Sequence, residues 1–316
     1  MAVLMALDRL VVTTGLLVLL GGTGFVAVAS TSAWRLNHRA WWLLWVAWWA
    51  TLLGTLAGLL LYGPISTGLP PILALDWTLL LDHTVHTRFG GVWALRILLL
   101  LILALLRVWS EQQVELSRRS AWPAVAASAA GLAVTPALSG HAAAGPYAAV
   151  GAVVGVVHFS AAAVWFGGLV LLGACLLPRA DAGLLQAIPR FSSVAFTAMV
   201  VIVVTGTVQG WRQLGSLQAL GHTAYGRLLL AKVAVFLLLI AVAAQSRVLV
   251  RRKLTARVLV GAAGPDPPAR DAAVAGMSDG GSLWLLRRLV LAEVVIAIVV
   301  LAVTALLGIA TPPRAT

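Results

Sequence analysis

Eight separate stretches of about 20 mostly apolar residues run through this chain. Each is long enough to cross the ~30 Å hydrocarbon layer of a bilayer as a helix. They fall at about 10–29, 41–62, 89–107, 121–138, 148–177, 191–213, 226–246 and 284–310, with polar breaks between them. The fifth is long enough to tilt or to project from the bilayer. Unbroken apolar runs of this length do not carry the two-residue alternation of a membrane barrel, so the spans read as helices. Composition agrees: 61% of the 316 residues are hydrophobic and 10% are charged, where a soluble domain carries roughly 25% charged residues. A soluble globular enzyme of this length could not hide so much apolar surface. The expected fold class is an all-α polytopic membrane protein of eight transmembrane helices, forming a single membrane domain over 1–316.

The first stretch has a second reading. Ala27-Val28-Ala29 resembles a signal-peptidase site. Against cleavage, the apolar run is long for a signal core, and the segment before it holds only Arg9 beside Asp8. The first helix is expected to be retained.

The net charge is +12, from 22 basic and 10 acidic residues. In a soluble protein that balance suggests nucleic acid. Here the positions of the charges decide. Arg35 and Arg39 follow span 1, Arg107, Arg118 and Arg119 follow span 3, and Arg179 and Arg190 follow span 5. Arg247, Arg251, Arg252, Lys253, Arg257 and Arg270 follow span 7 and lead to Arg287 and Arg288. The loops after spans 4 and 6 have no basic residue in their interiors, and the loop after span 2 has only Arg88, at its end. By the positive-inside rule the odd loops are cytoplasmic and both termini lie outside. The basic residues are then topology anchors facing the lipid bilayer, and no nucleic acid partner is expected. The stretch 254–283, with Gly264-Pro265-Asp266-Pro267-Pro268 and Gly280-Gly281, reads as a flexible cytoplasmic linker.

The chain also resembles itself. His86-Thr87-Arg88-Phe89-Gly90 enters span 3 and His222-Thr223-Ala224-Tyr225-Gly226 enters span 7. Six residues after each glycine comes a base, Arg96 or Lys232. Gly54-Thr55-Leu56-Ala57-Gly58 in span 2 pairs with Gly206-Thr207-Val208-Gln209-Gly210 in span 6. The order and topological positions agree, which suggests a tandem 4+4 repeat with halves of about 1–140 and 141–316. Repeats of this kind place sites at the interface between halves.

Five of the six histidines fall on the outer side or within the membrane on this topology. His83 and His86 precede span 3, His141 follows span 4, and His222 precedes span 7. His158 lies ten residues into span 5, ~15 Å deep and near mid-bilayer. His38, in the first cytoplasmic loop, reads as an ordinary interfacial residue. Neutral imidazole suits copper, zinc, iron and nickel, so the set reads as metal ligands. An ionisable group at the depth of His158 is costly and marks function. Glu293 in span 8 is again near the midplane, where it either completes a polar track with His158 or pairs with a base. Arg96 and Lys232, ~9 Å inside the outer boundary, are expected to snorkel outward as anchors. Cys175 and Met199 could receive a soft cation at the inner side, but read as packing residues.

Several phrases then occur in one order. Ser139-Gly140-His141-Ala142 is followed by His158-Phe159-Ser160-Ala161-Ala162-Ala163-Val164-Trp165-Phe166-Gly167-Gly168-Leu169. Arg190-Phe191-Ser192, Thr205-Gly206 and Tyr225-Gly226-Arg227-Leu228-Leu229-Leu230-Ala231-Lys232 come next, then Glu293 and a closing Thr311-Pro312-Pro313. Together they resemble the copper resistance protein D (CopD) family of bacterial inner-membrane proteins. Thr87-Arg88-Phe89-Gly90 and Trp93-Ala94-Leu95-Arg96 fit its first half, and residues 1–84 match only in hydropathy. The resemblance implies copper handling, usually uptake across the inner membrane, often with a separate periplasmic CopC-type carrier. It makes His141 and His158 the ligand candidates, with Glu293 as a matching acid. His86 and His222 rest on the repeat more than on the family.

The expectation is a copper transporter and not an enzyme. His86, His141 and His222, with His83, form an outer capture site, His158 relays the ion, and Glu293 balances charge below. Two rivals stand beside it: a b-type haem electron carrier, which needs paired histidines at similar depth, and a non-transporting assembly factor for a copper enzyme. No nucleotide-binding motif suggests ATP-driven pumping.

Overall fold

A computed structural model describes residues 2–28, 38–67, 76–112, 122–140, 147–176, 182–262 and 280–313. Every regular element among them is helical. In chain order these are α1 (Ala2–Val28), α2 (His38–Thr67), α3 (Trp77–His86), α4 (Arg88–Gln112) and α5 (Trp122–Ser139). Then follow α6 (Ala148–Leu171), α7 (Ala182–Leu214), α8 (Gln218–His222), α9 (Ala224–Ala262) and α10 (Gly280–Ile309). A π-helical turn, Leu172–Leu176, prolongs α6. Eight of the helices are long and apolar enough to cross a membrane, and each overlaps one of the eight apolar stretches. The short α3 and α8 are lead-ins to α4 and α9.

The boundaries differ from expectation in two places. α9 continues through Ala262, so the first nine residues of the expected linker 254–283 are helical. Nothing in Leu254–Val260 breaks a helix, and the first glycine there is Gly261. The linker's last four residues, 280–283, open α10, and 263–279 lie outside the described residues. At the other terminus α1 starts at Ala2, because the apolar run Ala2–Leu7 already supports it. Asp8 and Arg9 are therefore inside a helix and not a flank before it.

Local capping explains the sequence likeness before spans 3 and 7. The Thr87 Oγ1 accepts from the Gly90 N–H at 3.0 Å, and the Thr223 Oγ1 accepts from the Gly226 N–H at 2.9 Å. Both threonines are helix N-caps. In the second copy the glycine is required for space too: a Cβ on Gly226 would run into the carbonyls of Ala219 and Leu220 in α8.

Packing is organised around α1, which lies along α2, α6 and α10 and touches α5. It approaches α6 most closely where Gly21 faces the Ala163 carbonyl and Gly167 faces the Leu17 carbonyl and Gly21. Gly15 likewise lies against Ala47 and Thr51 of α2. Helices in lipid associate by backbone approach through small residues, since the apolar surroundings offer no hydrophobic drive. Leu16 and Leu17 of α1 are fully buried there with Leu171 and Cys175. Elsewhere α4 packs on α5, α6 on α7 and α9 on α10. The Trp48 Nε1–H donates to the Leu100 carbonyl at 2.9 Å, tying α2 to α4.

Cross-helix contacts define two ends of the bundle. At one, Arg9 donates to the Gly308 carbonyl, Arg212 to the Tyr147 carbonyl at 3.3 Å, and the Tyr225 hydroxyl to Gln213. Tyr62 stacks on Phe89 there, with ring centroids 4.8 Å apart. His86 and His222 lie at this end, called here the histidine end. At the other, the arginine end, Arg107 sits over the Trp41 ring at 3.8 Å and Arg247 over Phe196 at 4.2 Å. A guanidinium on an aromatic face suits a membrane interface.

Candidate functional site

His158 sits ten residues into α6 from the histidine end, ~15 Å along the helix axis. Its Nδ1 is 2.9 Å from the Thr205 Oγ1 of α7. The Thr205 hydroxyl proton is already committed, because Oγ1 donates to the Val201 carbonyl at 2.5 Å within its own helix. With that proton so used, the Thr205 oxygen accepts from Nδ1–H in the tautomer that carries its lone pair on Nε2. This tautomer follows from the hydrogen-bond network. A histidine held through one ring nitrogen and presenting the other is the usual arrangement of a metal ligand.

The surroundings of the ring are specific. Gly206 lies beside it, where a Cβ would be in ordinary van der Waals contact at 3.4 Å from the His158 Cε1. Lys232 of α9 is close enough to act electrostatically on the imidazole. One turn from Thr205 toward the histidine end, Gln209 has a buried Nε2 with no hydrogen-bond partner. Thr205, Gly206 and Gln209 thus line the approach to His158 from α7.

The other histidines are placed apart from it. His86 closes α3 and is exposed, with its Nδ1 2.9 Å from the exposed Asp82 carboxylate. His222 closes α8 and is exposed. Ten residues separate it from Lys232, ~15 Å along the helix direction, so His222 and His158 do not share one ion. His83 lies one turn before His86 in α3. His141 lies outside the described residues. Among the described residues no three His, Cys, Asp or Glu side chains gather as a metal-binding group.

Glu293 is 4% exposed, and its Oε1 accepts from the Ser246 hydroxyl of α9 at 2.5 Å. It does not join His158. Gly173, fifteen residues along α6 from His158, faces Val290 of α10, which puts Glu293 on the order of 20 Å from the imidazole toward the arginine end. Cys175 is fully buried in the π-helical turn, and Met199 packs against the same core.

A second polar cluster escaped the sequence reading. Arg96 is 4% exposed and does not snorkel outward as expected. Its Nε–H donates to the Thr135 Oγ1 at 2.9 Å and its Nη2 to the Ser139 Oγ at 3.5 Å, both on α5. Those two hydroxyls take two of the five N–H donors inside the bundle. Asp8 of α1 lies close enough to Arg96 and Arg9 to feel both charges. Its carboxylate stands against Gly54 and Gly58 of α2. The signal in the sequence is an acid preceded by the seven apolar residues 1–7, which makes Asp8 part of a span that starts eight residues before position 10.

Two family models match this chain. Copper resistance protein D matches residues 185–307, and the copper resistance protein D-like N-terminal domain matches 1–149. Between them they leave only 150–184 and the last nine residues unmatched. The chain belongs to the copper resistance protein D family. With eight apolar helices it is a multi-pass membrane protein, and its role concerns copper. The curated "Copper transport protein CutJ" of Bacillus subtilis (strain 168) is 31% identical over 172 residues, covering 53% of this chain. That match spans 32% of the relative's own length. No solved structure matches.

Proposed function

We propose that this member of the copper resistance protein D family carries copper across the bacterial inner membrane, inward, as substrate rather than as a resident cofactor. One observation carries the reading. His158 lies ten residues into α6 and is held at Nδ1 by Thr205 of α7, which leaves Nε2 as the ring nitrogen for a ligand. Neutral imidazole is a good ligand for copper, and a polar group at that depth has to repay its cost in function. The relative described as a copper transport protein supports the same substrate.

The histidine end faces outward in this reading, with both termini there, because the arginine-rich loops belong in the cytoplasm. His86, His222, His83 and His141 collect copper from that side, and a CopC-type carrier delivers it. The exposure of His86 and His222 suits capture from water. Gln209 and Thr205 line the step down to His158. Glu293, paired with Ser246, serves a cation nearer the arginine end. The two halves of the chain act as a 4+4 repeat around this path. No step makes or breaks a covalent bond, so the protein is not an enzyme.

The test is copper accumulation in cells carrying His158→Ala, with the protein quantified in the membrane. Accumulation should fall several-fold while membrane content is unchanged. Wild-type accumulation in that variant removes His158 from the path. A Soret band in the purified protein would replace copper transport with haem-based electron transfer.

A further inference from the structure

Two polar clusters inside the bundle have the same plan. In one, Asp8 of α1 stands against Gly54 and Gly58 of α2, within electrostatic reach of Arg96 of α4. In the other, His158 of α6 stands against Gly206 of α7, within electrostatic reach of Lys232 of α9. Gly54 and Gly58 occupy the same places in Gly54-Thr55-Leu56-Ala57-Gly58 as Gly206 and Gly210 in Gly206-Thr207-Val208-Gln209-Gly210. Arg96 and Lys232 each follow by six residues the glycine whose N–H donates to the cap threonine. Each half therefore offers one titratable group from its first span, a glycine beside it from its second, and a base from its third.

We propose that Asp8 is the first half's counterpart of His158 and binds a proton, which it gives up when copper reaches His158. This rests on the copper reading for its coupling, though not for the proton site itself.

The chemistry separates the two groups. A carboxylate is a harder ligand than an imidazole and suits copper less. A proton needs only the one carboxylate. The arginines beside Asp8 spend their hydrogen bonds elsewhere, Arg9 on the Gly308 carbonyl and Arg96 on Thr135 and Ser139. They act on Asp8 through charge. Among the described residues, α2 brings Gly54 and Gly58 and, packed on the Trp93 that also meets Gly58, Tyr62; α4 brings Arg96, whose partners Thr135 and Ser139 are on α5. Glu293, Arg287 and Arg288 of α10 lie toward the far end, at least fifteen residues from Gly308, ~22 Å or more along the helix.

Coupling has a physical route. Asp8 and His158 are on α1 and α6, the pair in backbone contact at Gly21, Ala163 and Gly167. Copper at His158 adds positive charge beside Lys232 in a medium that screens charge weakly. An Asp8 carboxylate that has lost its proton balances that charge, so copper binding and proton release favour each other, as linkage requires.

The test uses the purified full chain in detergent without buffer, with copper salts added and a pH-indicator dye following proton release. Copper bound is measured in parallel. At copper concentrations that saturate all three, wild type and Asp8→Glu should release about one more proton per bound copper than Asp8→Asn, which should bind copper more weakly. Equal release from Asp8→Asn and wild type overturns the proposal. A separate arm needs no copper: infrared spectra should show a carboxylic-acid C=O band in wild type that shifts in Asp8→Glu and vanishes in Asp8→Asn. A band indifferent to both changes also overturns it. If wild type binds no copper, the transport reading fails, and the infrared arm still decides the proton site. If Asp8→Asn does not fold, the wild-type and Asp8→Glu spectra decide it.

Discussion

α1 and α9 are both long apolar helices, yet they sit in opposite circumstances. In α1, 44% of the apolar window is buried within the bundle; in α9 the share is 6%. Leu16 and Leu17 of α1 are each 1% exposed, whereas Leu237 and Leu238 of α9 are 59% and 56% exposed. Hydropathy does not separate them, because lipid and protein interior are equally apolar. Small residues do. α1 carries Gly15, Gly21, Gly22 and Gly24, and three of these are pressed against α2 or α6. The bilayer-crossing part of α9 has only Gly226, at its capped start. In a membrane, the helix that lets other backbones in is the helix that ends up in the middle.

That contrast can be broken most severely at the crossing of α1 and α6. Gly167→Leu drives a side chain into the Leu17 carbonyl and Gly21, backbone that cannot rotate away. The expected cost exceeds ~3 kcal/mol, read as loss of the monodisperse peak in size-exclusion chromatography. Gly24→Ala, where a Cβ meets nothing within 4 Å, should leave the peak intact. Equal behaviour of the two would undo the small-residue account.

A matched pair of leucines sharpens it next. Leu17→Ala should cost ~2–5 kcal/mol by opening a cavity. Leu237→Ala, facing outward, should cost less than ~0.5 kcal/mol. Thermal melts in one detergent compare them. The smallest expected difference concerns two threonines. Thr135→Val leaves the buried Arg96 guanidinium without its 2.9 Å acceptor and should cost ~1–3 kcal/mol. The exposed Thr207 bonds only to the Val203 carbonyl of its own helix, so Thr207→Val should be close to neutral in the same melts.

The eight spans were legible because twenty apolar residues in a row have one stable arrangement in lipid. His158 was legible for a related reason: a histidine in such a run stands out against its neighbours. The partner that orients it, Thr205, was visible only as part of Thr205-Gly206, since helical threonines usually bond their own backbone and carry no outward signal. The Asp8–Arg96 cluster was hidden by distance. Its members are 88 residues apart and come from α1 and α4, and nothing local says that two hydroxyls on α5 will bond the arginine. The likeness of His86-Thr87 to His222-Thr223 proved to contain a helix cap, so the threonine and glycine of that motif are explained without reference to the histidine. The ~20 Å between His158 and Glu293 was illegible too, because residue depth along a helix does not reveal tilt or neighbours.

The position of α1 has a consequence in time. A ribosome delivers α1 to the membrane before any of its partners exist, and α6 and α10 follow only after well over a hundred further residues in each case. Until then Gly21 faces lipid, and Arg9 has no Gly308 carbonyl to reach. The helix that centres the bundle is enclosed in stages, on its α2 side first and on its α6 and α10 sides later.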